Sequence, residues 1–197
     1  DVVITPTEYS RKLLMKYDLH REIYALTNGV DTEFFHKTEQ AGGRFRIFFH
    51  LPVDKKVVIS AGHLIHRKGI EDFLEMAKRM PDIIFLWFGG GNNALIPAEI
   101  KKAVAEKPEN VIFAGFQPSG ILRDAYCGAD AFAFFSYEET EGIVVLEALS
   151  CEIPVIVRDI PVYEGGLPTA SRCAKPAIWI PTSRQSETSC MKNRGKK

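Results

Sequence analysis

A doubly wound α/β domain built on a parallel sheet is the fold this chain predicts, and three observations predict it. Short β-rich runs alternate with helical patterns along most of the 197 residues, the signature of βαβ units. One run, "DIIFLWFG" (82–89), is apolar throughout, as a strand buried on both faces must be. Glycine runs, paired cations and clustered carboxylates follow the strands, at the end of an open parallel sheet where ligands bind.

The elements follow in order. "DVVITP" (1–6) reads as a strand and "EYSRKLLMKYD" (8–18) as a helix. "IYALTNGVDTEFF" (23–35) is a strand running into an Asn-Gly turn. "GGRFRIFFHLPVDKK" (42–56) leaves two readings open: its aromatics suit a strand, its place before the next strand suits a short helix. "VVISAG" (57–62) is a strand by composition, and "GIEDFLEMAKRM" (69–80) sets Ile70, Phe73, Leu74 and Ala77 at helical spacing. After strand 82–89, "IPAEIKKAVAEK" (96–107) is a helix with Pro97 near its first turn. "NVIFAG" (110–115), "SGILRDAYCG" (119–128), "AFAFF" (131–135) and "PVIVRD" (154–159) continue the alternation. Between the last two lies "EETEGIVVLEAL" (138–149), whose "GIVVL" propensity alone assigns to a strand. Crossovers should be right-handed, with helices on both faces of the sheet.

Composition narrows the class. Apolar residues make up 46% and charged residues 25%, ordinary for a globular chain. Lysine plus arginine (25) balances aspartate plus glutamate (25), so no global basic field points to nucleic acid. The four cysteines show neither CxxC nor metal spacing to histidine, which predicts reduced thiols in a cytosolic protein. The longest apolar runs are too short to span a bilayer. "DVVITPTEYS" has no signal-peptide pattern, and opening on a strand without methionine predicts a fragment of a longer protein. There are no internal repeats.

The loops after the strands carry the unusual residues: "HLIHRKG" with Arg67 and Lys68, "GGGNN", "FQP", and "SYEETEG". Taken singly, each has an ordinary explanation as a solvated helix start, a flexible turn or hydrated glutamates. Together on one rim they suggest chemistry. Glycines let a backbone approach a phosphate. A helix N-terminus favours an anion by only about 0.3–1 kcal/mol, so a pyrophosphate needs cations as well. The glutamates repel phosphate and suit neutral donors, such as the vicinal hydroxyls of a sugar. The combination points to a nucleotide-sugar.

These residues resemble the retaining glycosyltransferases of family 4, which have the GT-B fold. Glu139 and Glu147 have the E-x7-E spacing. "TNGVDTEFF", "AGHLIHRKGIEDF", "WFGGG", "VIFAGF", "YCGADAFAFFSYEETEGIVVLEAL" and "IPVIVRD" stand in family order over roughly residues 1–168. "EETEGIVVLEAL" with "RDIPVYEG" is most similar to the subgroup that glucosylates diacylglycerol. The resemblance implies a Rossmann-like carboxyl-terminal half of a GT-B enzyme and makes "GIVVL" helical.

It also implies roles. Arg67 and Lys68 hold the donor pyrophosphate and, with Glu139 on the donor sugar, form the catalytic group. Gly62, His63, Gly89 and Gly90 lie in the donor-binding loops, and Phe116 lies where the nucleobase binds. Gly142, Ile143 and Val144 offer backbone N–H groups, and Glu147 grips the ribose diol. The implied reaction moves a hexose, glucose from UDP-glucose, to an acceptor hydroxyl with retention, the acceptor being diacylglycerol. The departing phosphate takes the acceptor proton. No cofactor or metal is implied, and no DxD motif is present. Three positions depart from the family: His63 stands for the usual arginine, Glu141 is an unusual acid, and Glu152 replaces a usual glycine.

The resemblance divides the chain into a remnant of the amino-terminal acceptor domain (1–18), a donor-binding domain (19–168) and an irregular tail (169–197). For the tail two readings stand open, a disordered linker or a reading-frame slip that replaces the closing helix. The expected partners are a nucleotide-sugar, a membrane lipid acceptor and the missing amino-terminal domain, without nucleic acid. The expected location is cytoplasmic, peripheral to the membrane in the full-length protein. Another class of reading is a catalytically inactive nucleotide-binding fragment. A dinucleotide-dependent dehydrogenase is disfavoured, because "AGHLIHRKG" lacks G-x-G-x-x-G, and the rim of motifs argues against a plain interaction module.

Overall fold

A computed structural model describes residues 1–91, 93–164, 167 and 172–173. Its elements are β1 (Val3–Thr5), α1 (Glu8–Leu14), β2 (Ile23–Ala25), α2 (Glu39–Phe48), β3 (Val57–Ala61), α3 (Ile70–Arg79), β4 (Ile84–Phe88), α4 (Ala98–Ala105), β5 (Val111–Gly115), α5 (Ser119–Gly128), β6 (Ala131–Phe134), α6 (Ile143–Ser150), β7 (Val155–Arg158) and β8 (Arg172–Cys173). The main sheet is parallel, in the order β5-β4-β3-β6-β7-β8. This is the doubly wound order, in which the chain reverses direction across the sheet between the first and fourth strands. Here that switch point lies between β3 and β6.

Alternate strand residues feed two cores. Val57, Ile59, Leu86, Phe132 and Val157 face Phe45 of α2, Tyr126 of α5, and Val145 and Ala148 of α6. Val58, Phe85, Trp87 and Ala133 face Ile70, Phe73 and Ala77 of α3 and Ile100 of α4. Helices therefore cover both faces, which explains why β3 is buried at every residue and why β4 reads as one apolar run.

The two-sided segment 42–56 is resolved as helix over Gly42–Phe48. Packing overrides its poor helix propensity. Gly42 and Gly128 let α2 and α5 touch backbone to backbone: a Cβ on Gly128 would lie 2.7 Å from the Gly42 Cα. "GIVVL" is helical too, because Val145 and Ala148 of α6 are buried against the sheet.

β1 and β2 pair with each other in a separate two-stranded parallel sheet, so residues 23–25 pair with residues 3–5 and not with the main sheet. Val2, Ile4, Tyr24 and Leu26 are exposed there. In the tail, Arg172–Cys173 extends the main sheet beside β7, a strand that the loss of periodicity did not foretell. The rest of the expected tail, apart from these two residues, lies outside the described residues. Among the described residues no helix is long and apolar enough to cross a membrane.

Candidate functional site

The rim at the carboxyl ends of the strands is stitched together by the backbone. The Gly62 N–H donates to the Phe88 carbonyl (2.9 Å), the Trp87 indole donates to the Gly62 carbonyl (3.0 Å), and the Gly89 N–H donates to the Gly115 carbonyl (2.7 Å). Loops after β3, β4 and β5 thus form one wall. They border a cavity of about 520 Å³ that collects Gly62, His63, Lys68, Gly89, Gly90, Phe116 and Val144. The Phe116 ring is 89% exposed, a flat apolar face open to a partner.

Arg67 and Lys68 sit in a 3-10 turn, His66–Lys68, directly after the β3 loop. The Lys68 ammonium lies 2.5 Å from a Glu139 carboxylate oxygen and 5.2 Å from the centre of the Phe134 ring. Glu139 is only 8% exposed, so this pair spares a buried charge from standing alone. Arg67 donates to the Glu138 carbonyl (2.6 Å) and lies 3.6 Å from Glu139. It lines a different hollow, of about 780 Å³, with Tyr9, His66, Glu71, Tyr137 and Glu138. The two cations therefore approach the same Glu139 oxygen but line different cavities.

Gly142 begins α6 with φ 80°, a left-handed conformation that glycine adopts without strain. The Val145 N–H closes the first turn onto the Gly142 carbonyl (2.8 Å). The N–H groups of Ile143 and Val144 precede the helical ladder and can serve an anion. Glu147, one turn later, accepts a hydrogen bond from the Tyr126 hydroxyl (3.0 Å). Burial pushes the Glu147 carboxyl above its ordinary range, and the Tyr126 bond opposes that rise. Burial, followed by the Glu147 charge and their hydrogen bond, drives the Tyr126 phenol far upward. Glu147 keeps lone pairs free for further donors.

Two residues in this region escaped the sequence. Glu141, marked there only as an unusual acid, is buried. It accepts from the Thr27 hydroxyl, the Asn28 side-chain amide (2.6 Å) and the Asn28 backbone N–H (3.2 Å). It anchors the "TNG" turn to the start of α6. Tyr163, after β7, is 5% exposed, and its hydroxyl has no hydrogen-bond partner among the described residues. A Cβ on Gly142 would lie 2.6 Å from that oxygen. Among the described residues no cluster of three or more His, Cys, Asp or Glu side chains could hold a metal.

Fold and switch-point loops define the class: a doubly wound α/β domain of the GT-B glycosyltransferase kind. The chain belongs to the family described as glycosyl transferases group 1, whose profile matches residues 44–166. It is 43% identical over 164 residues to a processive diacylglycerol alpha-glucosyltransferase of Acholeplasma laidlawii, covering 83% of this chain and 49% of that protein. It is 34% identical over 143 residues to an alpha-galactosylglucosyldiacylglycerol synthase of Streptococcus pneumoniae, covering 71% of this chain and 38% of the relative. The chain thus spans half, or less, of the length of these relatives. In fold it is similar to Anabaena HepE, solved with UDP and glucose, at a TM-score of 0.74 and 17% identity over 85% of this chain and 46% of that one. Sucrose-phosphate synthase from Thermosynechococcus elongatus gives 0.72 and 24% over 83% and 42%.

Proposed function

We propose that this chain is the donor-binding half of a retaining glycosyltransferase that moves glucose from UDP-glucose to a hydroxyl of a diacylglycerol-type lipid. The observation that carries the reading is the Lys68–Glu139 pair beside the open first turn of α6. It sets a phosphate-seeking cation, a hydroxyl-seeking carboxylate and free backbone N–H groups around one switch point. The two diacylglycerol-lipid relatives support the acceptor class, and the UDP and glucose bound by HepE support the donor class.

In this reading Lys68 and Arg67 turn from Glu139 toward the diphosphate and stabilise it as it leaves. The freed Glu139 carboxylate accepts from hydroxyls of the sugar. The N–H groups of Gly142, Ile143 and Val144 face the sugar and the distal phosphate, Glu147 adds a ribose diol to its Tyr126 bond, and the nucleobase stacks on Phe116. Gly62, His63, Gly89 and Gly90 form the floor. The departing phosphate takes the acceptor proton, so neither a side-chain base nor a metal is required. Residues 1–18 are the end of the acceptor domain, 19–168 the donor domain and 169–197 a tail outside it. The full-length protein works in the cytoplasm at the membrane surface.

A second reading is that these 197 residues bind nucleotide without turnover. Titration calorimetry with UDP, GDP and ADP tests the first step. UDP should bind best, and Lys68→Ala and Glu147→Ala should each weaken it at least about tenfold, the loss of one charge-assisted contact. A folded chain that binds no nucleotide overturns the proposal. Sustained glucosyl transfer by these 197 residues alone overturns the assignment as a donor half.

A further inference from the structure

Among the described residues the Tyr163 hydroxyl is one of three buried side-chain oxygens without a hydrogen-bond partner, with those of Thr38 and Ser60, and it is the one that borders the start of α6. It is sealed from solvent, has no partner among the described residues and rests over the glycine that opens α6. A buried hydroxyl without a hydrogen bond is a standing cost that folded chains rarely carry without a use. Nothing in packing demands it, since phenylalanine would fill the same volume. Burial pushes this phenol upward, and the Glu139 charge lies near enough to add to the effect. The geometry is the informative part: the hydroxyl lies over Gly142, three residues along the same loop from the buried Glu139, and no hydrogen bond joins the two. In the free chain the Lys68 ammonium already occupies Glu139, with Arg67 at 3.6 Å.

We propose that Tyr163 is a positioning residue for the donor sugar, its hydroxyl donating to the Glu139 carboxylate once Lys68 leaves for the diphosphate. The inference rests on the donor-site reading and deepens it. Moving both cations onto phosphate would strand Glu139 as a buried anion just when it must accept from sugar hydroxyls. A phenol donates without adding charge and so does not compete for the phosphate. It holds one face of the carboxylate and leaves the other for the sugar. Tyr163 acts through Glu139 and itself remains behind Gly142, out of contact with substrate.

The test compares Tyr163→Phe with the unaltered chain in calorimetric titrations of UDP and of UDP-glucose, together with thermal unfolding of the free proteins. The variant should bind UDP within about twofold of the parent, lose about tenfold toward UDP-glucose, as befits one hydrogen bond to a charged group, and unfold at the same temperature or higher. A merely structural hydroxyl would lower the unfolding temperature and weaken both ligands alike, which overturns the proposal. In a Glu139→Ala background the same change should no longer alter the UDP-glucose to UDP ratio; a persisting effect overturns the route through Glu139. If the parent chain binds neither ligand, the donor-site reading fails and this inference with it. If the parent prefers the sugar nucleotide and Tyr163→Phe keeps that preference, only the inference fails.

Discussion

Replacing Glu141 by alanine should destabilise the chain by about 2 kcal/mol. Its buried carboxylate receives three donors, the Thr27 hydroxyl and the Asn28 side-chain and backbone N–H groups. Hydrogen bonds to a charged group contribute about 1.5–3 kcal/mol each when nothing replaces them. Thr27 and Asn28 are exposed, so water can take over once the side chain is gone, and each bond then nets under about 1 kcal/mol. Urea unfolding reads the result. With a slope of about 2 kcal/mol per molar, the midpoint should fall by about 1 M without a change of slope. Glu141→Gln, which retains one acceptor but turns an amide toward the Asn28 donors, should fall roughly half as far on the same hydrogen-bond scale. A Glu141→Ala midpoint within about 0.2 M of the parent on that slope would refute the argument that this acid is an anchor.

Other outcomes follow from the same geometry. The Arg44 guanidinium holds the Asp124 carboxyl below its ordinary range, with burial opposing and Arg123 assisting; a carboxyl depressed in the folded state adds stability above its unfolded pKa of about 3.9 that is lost as pH falls through the lower folded value. Arg44→Ala should therefore raise the Asp124 titration seen by carbon NMR and blunt the loss of stability on acidification below about pH 4. Gly142→Ala should cost about 1–2 kcal/mol for its left-handed backbone, plus the clash with the Tyr163 hydroxyl; calorimetric melting should show Tyr163→Phe relieving the clash but not the backbone share. Tyr126→Phe removes the bond that opposes the rise of the Glu147 carboxyl, so its NMR titration should move to higher pH and UDP affinity should drop; an unmoved titration would break the proposed link.

Much of this architecture was legible because it is periodic. The apolar run of β4 and the spacing of Ile70, Phe73, Leu74 and Ala77 report burial directly, and the strand-end loops gathered as an open parallel sheet requires. Local preference alone settled less where tertiary contacts overrule it. Two glycines and a run of aromatics left strand and short helix both open for 42–56, and α5, offering Gly128 to receive Gly42, decides for the helix. The β-branched "GIVVL" needed a resemblance to be read as helix, since its propensity says strand. Glu141 and Tyr163 were beyond reach for another reason. Thr27 lies 114 positions from Glu141, and no spacing rule links a turn to an acid so far away. A hydroxyl without a partner leaves no trace in a sequence at all. Arg67 and Lys68 are adjacent in the chain yet face different hollows, because a tight 3-10 turn fans neighbouring side chains apart.

On the donor-site proposal, the Lys68–Glu139 contact also bears on which molecules the chain would ignore. Cells are crowded with small free anions, and an unguarded lysine beside a helix start would collect them. Here an inorganic phosphate must first pry the ammonium from a carboxylate 2.5 Å away and leave that carboxylate largely walled off from water. A bare anion repairs only one of the two charges it separates. A ligand that brings hydroxyls together with its phosphates repairs both. If the proposed donor site is right, the resting pair would act as a lock that asks for two chemical keys on one molecule.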